Sequence, residues 1–133
     1  LGVVTEVTVR ILKKPETARA LLMGFPTTEQ GGDCVASIIA NGIIPGGLEM
    51  MDGPAIRAAE EFCHAGYPLD VEALLICELD GPAAEVGHLI EVVGAIARQC
   101  GASTIRSAMS TATVSRCVRC WLAWCMAWPA RLH

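Results

Sequence analysis

ALLICELDGPAAEVGHLIEVVGAIARQC, residues 73–100, carries two patterns back to back. Its first seven residues are apolar almost throughout, which suits a central strand buried on both faces. Asp80-Gly81-Pro82 then breaks the chain. Beyond the break, Val86, Leu89, Ile90, Val93, Ile96, Ala97 and Cys100 recur at helical spacing. Gly101 follows as a helix stop. A strand turning at once into a helix is half of a β-α-β unit, and residues 103–107 read as the strand that completes it.

The chain upstream repeats the alternation. Asp52 reads as a helix N-cap with Pro54 in the first turn. Ile56, Ala59, Phe62 and Cys63 form the expected buried stripe of that helix, which ends near Gly66. Tyr67-Pro68 continues the break, and residues 47–51 read as a short strand before the helix. Thr27 with Gln30 three residues later resembles a capping box. The helix it opens runs through Val35, Ile38 and Ile39 and ends at Asn41-Gly42, with Gly31 and Gly32 weakening its first turn. Residues 18–25, ARALLMGF, form an apolar strand bounded by Pro26.

VVTEVTVRIL, residues 3–12, alternates in the strand manner until Lys13-Lys14-Pro15. Val7, Val9 and Ile11 share one face; Thr8 and Arg10 share the other. From residue 15 on, the order is β-α-β, an inserted helix, then β-α-β. The expected fold class is α+β, a ferredoxin-like split βαβ sandwich with helices on one face of its sheet.

Composition agrees with a packed domain. Hydrophobic residues are 53% and charged residues 18% of 133, which excludes a disordered chain. No uninterrupted apolar run is long enough to span a bilayer, and the first residues lack the pattern of a secretory signal. The chain starts at Leu1 inside a strand-like pattern, so it reads as part of a longer protein. Seven cysteines are an odd number, and Cys34, Cys63, Cys77 and Cys100 sit in apolar segments. They read as buried free thiols of a reducing cytoplasm. Residues 1–91 hold all fourteen acids and five bases, whereas residues 92–133 hold five arginines and no acid. No basic patch interleaved with aromatics occurs in the body, so nucleic-acid binding is not expected.

Three stretches are similar to a known family. LGVVTEVTVRILKKPE (1–16), GFPTTEQGGDCVASIIANGIIPGGLEMMD (24–52) and AIRAAEEFCHAGYPLDVEALLICELDG (55–81) resemble the FAD-linked oxidase family, most of all its glycolate oxidase flavin subunits. The resemblance covers about residues 1–105. It implies oxidation of a small 2-hydroxy acid such as glycolate, with FAD as cofactor and with iron–sulfur and other oxidase subunits as partners. It also implies that residues 1–14 are the last strand of an upstream FAD-binding domain, and that residues 15–107 are part of the family's C-terminal domain. By position, Leu1, Gly2, Val3 and Val4 would approach the FAD, and a glycine there permits close backbone approach. The family's Arg-containing segment and its later H-x-G-D-G-N-x-H stretch have no counterpart here. No catalytic or metal residue is therefore carried over, and the chain is expected to be inactive alone. The rival expectation is a free-standing ferredoxin-like module that binds a small ligand or associates with itself.

The other chemistry-bearing residues have plainer readings. Glu49 and Asp52 invite a paired-carboxylate reading, but Asp52 suits a helix cap better. His64 lies beside a helix end, and His88 lies off the apolar stripe of its helix. One C-x-x-C, Cys117 to Cys120 with Cys125 beyond, is half of a zinc pattern without the second pair. All three tryptophans also lie within residues 117–128. With Arg116, Arg119 and Arg131 around it, this tail has the makings of a surface or partner contact. Its abrupt loss of acids fits out-of-frame translation of residues 108–133 better.

Overall fold

The computed structural model describes residues 3–9, 11 and 15–108. The elements run β1 (Thr17–Phe25), α1 (Thr28–Ala40), β2 (Gly47–Asp52), α2 (Gly53–Cys63), β3 (Ala73–Gly81), α3 (Ala83–Gln99) and β4 (Thr104–Ala108). The four strands form one sheet in the order β2-β3-β1-β4, and every neighbouring pair is antiparallel. This is the ferredoxin-like arrangement expected from the sequence.

β3 is apolar from Ala73 to Cys77 because both its faces are covered there. Ala73, Leu75, Cys77 and Leu79 join Leu21, Met23 and Phe25 of β1 in a core closed by α1 and α3. Leu74 and Ile76 point the other way, into a smaller cluster with Met51, Ile56, Ala59, Tyr67 and Val71. Helix α2 therefore lies on the face opposite α1 and α3, and the expectation of helices on one face is corrected. The cause is β3 itself, whose even positions need a cover as much as its odd ones do.

Two apolar assignments also move. Phe62 is 70% exposed and Ile39 is 51% exposed. On α2, Ile56 and Ala59 centre the buried stripe, and Phe62 falls roughly a quarter-turn from it at 100° per residue. On α1 the buried positions are Gly31, Cys34 and Ile38. Gly31 has a packing use beyond its helix propensity. A Cβ there would stand 3.1 Å from Met50 Sδ and 3.3 Å from the Ala73 Cβ, so its absence lets α1 approach the sheet closely.

Local chemistry sets the helix ends. Thr27 Oγ1 accepts from the Gln30 amide at 3.2 Å and donates to the Gln30 side-chain oxygen at 3.3 Å. Asp52 Oδ1 accepts from the Ala55 amide at 2.9 Å. Residues 3–9 and Ile11 lie outside the sheet and form no strand. Val3, Val7, Val9 and Ile11 are 70–89% exposed. An alternating segment becomes a strand only where an edge pairs with it, and neither edge of this sheet takes up these residues.

Candidate functional site

The register places Glu49, Glu78 and Arg106 on the α2 side of the sheet. Leu22 pairs with Ile76 on one flank and with Arg106 on the other, and Ile76 pairs with Glu49. Directly opposite residues share a face, so Glu49, Ile76, Leu22 and Arg106 form one row across the sheet. The next row holds Gly47, Glu78 and Ala20. Three strand spacings separate Glu49 from Arg106, about 14 Å. Helix α2 covers the Met51, Leu74 and Ile76 end of this face.

The rows form an apolar floor with charged ends. Ala20 and Ile76 are buried, Leu22, Glu49 and Glu78 are half-buried, and Arg106 is exposed. Glu49 and Glu78 are diagonal neighbours on adjacent strands, a relation of roughly 7–8 Å. The Arg106 guanidinium donates to the Gly66 carbonyl at 3.0 Å. That loop is fixed from the other side too, because the Glu60 carboxylate accepts from the Gly66 amide at 3.1 Å and the Tyr67 amide at 2.9 Å. Gly24 makes room for the loop, since a Cβ there would stand 2.9 Å from Val71 Cγ1 and 3.6 Å from Pro68 Cγ.

The residues singled out in the sequence distribute as follows. Asp52 caps α2 and faces away from Glu49, because Asp52 pairs with Ala73 and Glu49 with Ile76. The paired-carboxylate idea thus fails for these two, and Glu78 is the carboxylate that shares Glu49's face. Sequence reasoning missed Glu78 and Arg106. Their alternation within a strand was visible, but the pairing register that unites them was not. His64 adopts a left-handed conformation at the end of α2 (φ 47°), where its backbone amide donates to the Glu60 carbonyl. His88 is exposed on α3. Among the described residues, no group of three histidines, cysteines or carboxylates is placed to hold a metal. No described helix is long and apolar enough to cross a membrane. Val3 and Val4 are exposed at 89% and 77%. Leu1, Gly2 and the Cys117, Cys120 and Cys125 set lie outside the described residues.

FAD requires backbone amides for its pyrophosphate, usually from a helix N-terminus or a glycine-rich turn. The described residues do not fit that need. Side-chain oxygens of Thr27 and Asp52 occupy first-turn amides of α1 and α2. Helix α3 opens with Pro82 and carries Glu85 in its first turn, a poor neighbour for phosphate. What these elements offer is a sheet face, not a dinucleotide cradle.

Comparison with known proteins places the chain. A family model described as FAD linked oxidases, C-terminal domain, matches residues 14–132. That span reaches beyond the residues 1–105 that carry the resemblance and takes in most of the cysteine- and tryptophan-rich tail. The glycolate oxidase subunit GlcD of Escherichia coli K12 is 53% identical over 130 residues, covering 98% of this chain and 26% of that protein. The subunit of the same name from Bacillus subtilis is 34% identical, covering 83% of this chain and 23% of its own length. A probable mitochondrial D-lactate dehydrogenase of Danio rerio is 27% identical over 99% of this chain and 26% of its own. The chain thus spans about a quarter of the curated relatives it matches. Among solved structures, an alkyldihydroxyacetonephosphate synthase superposes with a TM-score of 0.63 at 17% identity, covering 81% of this chain and 24% of the other. This likeness extends the agreement in fold. With a family model over most of its length and a relative 53% identical over 98% of it, the chain belongs to the FAD-linked oxidases, as their C-terminal domain.

Proposed function

We propose that this chain is the C-terminal-domain part of an FAD-dependent 2-hydroxy-acid oxidoreductase of the glycolate oxidase type. The observation that carries the reading is 53% identity, over 98% of the chain, to a protein named as a glycolate oxidase subunit. In this reading FAD is held mainly by residues outside 16–108, with Leu1, Gly2, Val3 and Val4 on the approach to it. The described domain contributes the sheet face bearing Glu49, Glu78 and Arg106. The whole protein oxidises a small 2-hydroxy acid such as glycolate in the cytoplasm, alongside iron–sulfur and other oxidase subunits. The 133-residue chain by itself is inactive.

A chimera tests this. Residues 16–108 replace the matching segment of the Escherichia coli glycolate oxidase subunit GlcD, and FAD content and glycolate oxidation are measured. Retained oxidation supports the proposal. A chimera that loads FAD but oxidises no 2-hydroxy acid overturns it.

The second reading is a self-associating module. The exposed apolar groups available to it are Ile44, Phe62 and Leu69, at 89%, 70% and 55%. Sedimentation at rising concentration separates the two readings. Oligomers abolished by deleting residues 108–133 assign association to the tail, and oligomers that persist assign it to the domain. Out-of-frame origin of that tail is a separate proposal, against which the family match through residue 132 weighs. Sequencing the coding DNA decides it. If no other frame restores an Arg-containing family segment and a later His-rich one, the idea fails.

A further inference from the structure

Asn41 is the only asparagine in the chain, and Gly42 follows it. The pair closes α1, and both residues are exposed. An asparagine before a glycine is open to one reaction in particular, because no side chain shields the glycine nitrogen. That nitrogen attacks the side-chain carbonyl carbon of the asparagine, and ammonia leaves. Here both nitrogens are engaged with carbonyls of α1. Asn41 Nδ2 donates to the Ser37 carbonyl at 2.8 Å. The Gly42 amide donates to the Ile39 carbonyl at 2.9 Å, and the Ile43 amide donates to the Ile38 carbonyl at 3.3 Å. The last two bonds, with Gly42 at φ 74°, make a Schellman cap. Ile38 and Ile43 anchor it, since both are buried in the core beneath α1. The reactive pair is thus open to water and yet held in place from both sides.

We propose that Asn41 is a deamidation site gated by this cap, converted only through openings of the last turn of α1. In the first step the Gly42 nitrogen bonds to Asn41 Cγ, and the Cγ–Nδ2 bond breaks. The Gly42 proton departs with the side-chain nitrogen as ammonia, and a cyclic imide remains. In the second step water opens the imide at either carbonyl, giving aspartate or isoaspartate. One amide and one water thus give one carboxylic acid and one ammonia. Neither product restores the cap. A carboxylate has no N–H for the Ser37 carbonyl, and its charge sits at the negative end of the helix dipole. Isoaspartate also lengthens the backbone within the motif. Each conversion therefore leaves the end of α1 looser than before. Neither step uses FAD, so the site is independent of the function proposed above.

The 133-residue chain is held in mildly alkaline buffer, folded in one sample and unfolded by guanidinium chloride in the other. Cleavage after arginine then releases residues 20–57, which contain Asn41. Mass spectrometry reads conversion as the gain from replacing NH2 by OH, and fragmentation separates Asn41 from Gln30. Reaction through a minor open state is slowed by the fraction that is open, so the folded chain is expected to convert roughly tenfold or more slowly than the unfolded one. I43A removes a buried anchor of the cap without touching the reacting atoms. Folded I43A, checked by circular dichroism, is expected to convert faster than the unsubstituted chain. Should I43A not fold, the first comparison decides alone. The proposal is overturned if the folded and unfolded chains convert at the same rate, or if the unfolded chain does not convert. It is equally overturned if folded I43A converts no faster than the unsubstituted chain.

Discussion

Residues 3–9 alternate and strand β1 is an apolar run, and both carry a strand pattern, yet only β1 lies in a sheet. β1 pairs along its whole length with β3 and over five residues with β4, and Leu21, Met23 and Phe25 are buried at 2% or less. Residues 3–9 have no partner strand in the described structure, and their valines face solvent. Alternation states what a strand would bury. A neighbouring edge decides whether it becomes one. Under the proposal above, that edge belongs to the FAD-binding part of the whole protein.

Substitutions break the comparison most sharply at β1. Phe25→Ala removes a fully buried ring and is expected to cost about 3–5 kcal/mol in a denaturant titration. A loss below about 1 kcal/mol would mean that β1 is no better anchored than residues 3–9. The thiols opposite and above β1 give a pH signature of the same packing. Burial pushes Cys34 and Cys77 from 9.0 up to about 12, with the nearby Cys100 adding to the rise at Cys34. The unfolded chain then releases these protons near pH 9, while the folded chain keeps them until about 12. Stability from this source is complete below pH 9 and declines above it, by about 1.4 kcal/mol per thiol per pH unit. Comparing the reduced protein with C34A and C77A across that window isolates the slope. An unchanged slope in both variants contradicts the burial argument.

Gly24→Ala tests a smaller feature of the same strand. The new Cβ meets Val71 Cγ1 at 2.9 Å, so the loop must shift, and a loss of about 1–3 kcal/mol is expected. Val7→Ala should have the least effect. Val7 is 70% exposed, and the change is expected to stay within about 0.5 kcal/mol of the unsubstituted chain. A larger loss would show that residues 3–9 are already part of a packed structure.

Much of the fold was legible because local and long-range signals agree. The run from Ala73 to Cys100 shows its strand, break and helix in order, and Asp52 and Thr27 mark helix starts that the structure keeps. Side allocation was harder. A strand apolar over successive positions, such as Ala73 to Cys77 of β3, announces two covered faces but not which helix covers which. The exposed Phe62 was misplaced because it falls about a quarter-turn off the Ile56 and Ala59 stripe, while its neighbour Cys63 still packs on that cluster. The candidate site was the least legible part. Glu49, Glu78 and Arg106 come from three strands, and only the register brings them to one face.

The described residues carry the family's C-terminal fold, and no flavin cradle lies among them. Titration of FAD into the purified 133-residue chain, followed by flavin fluorescence and absorbance, tests it directly. The account predicts no saturable change. Saturable binding would contradict it and would place a working cofactor surface within this chain.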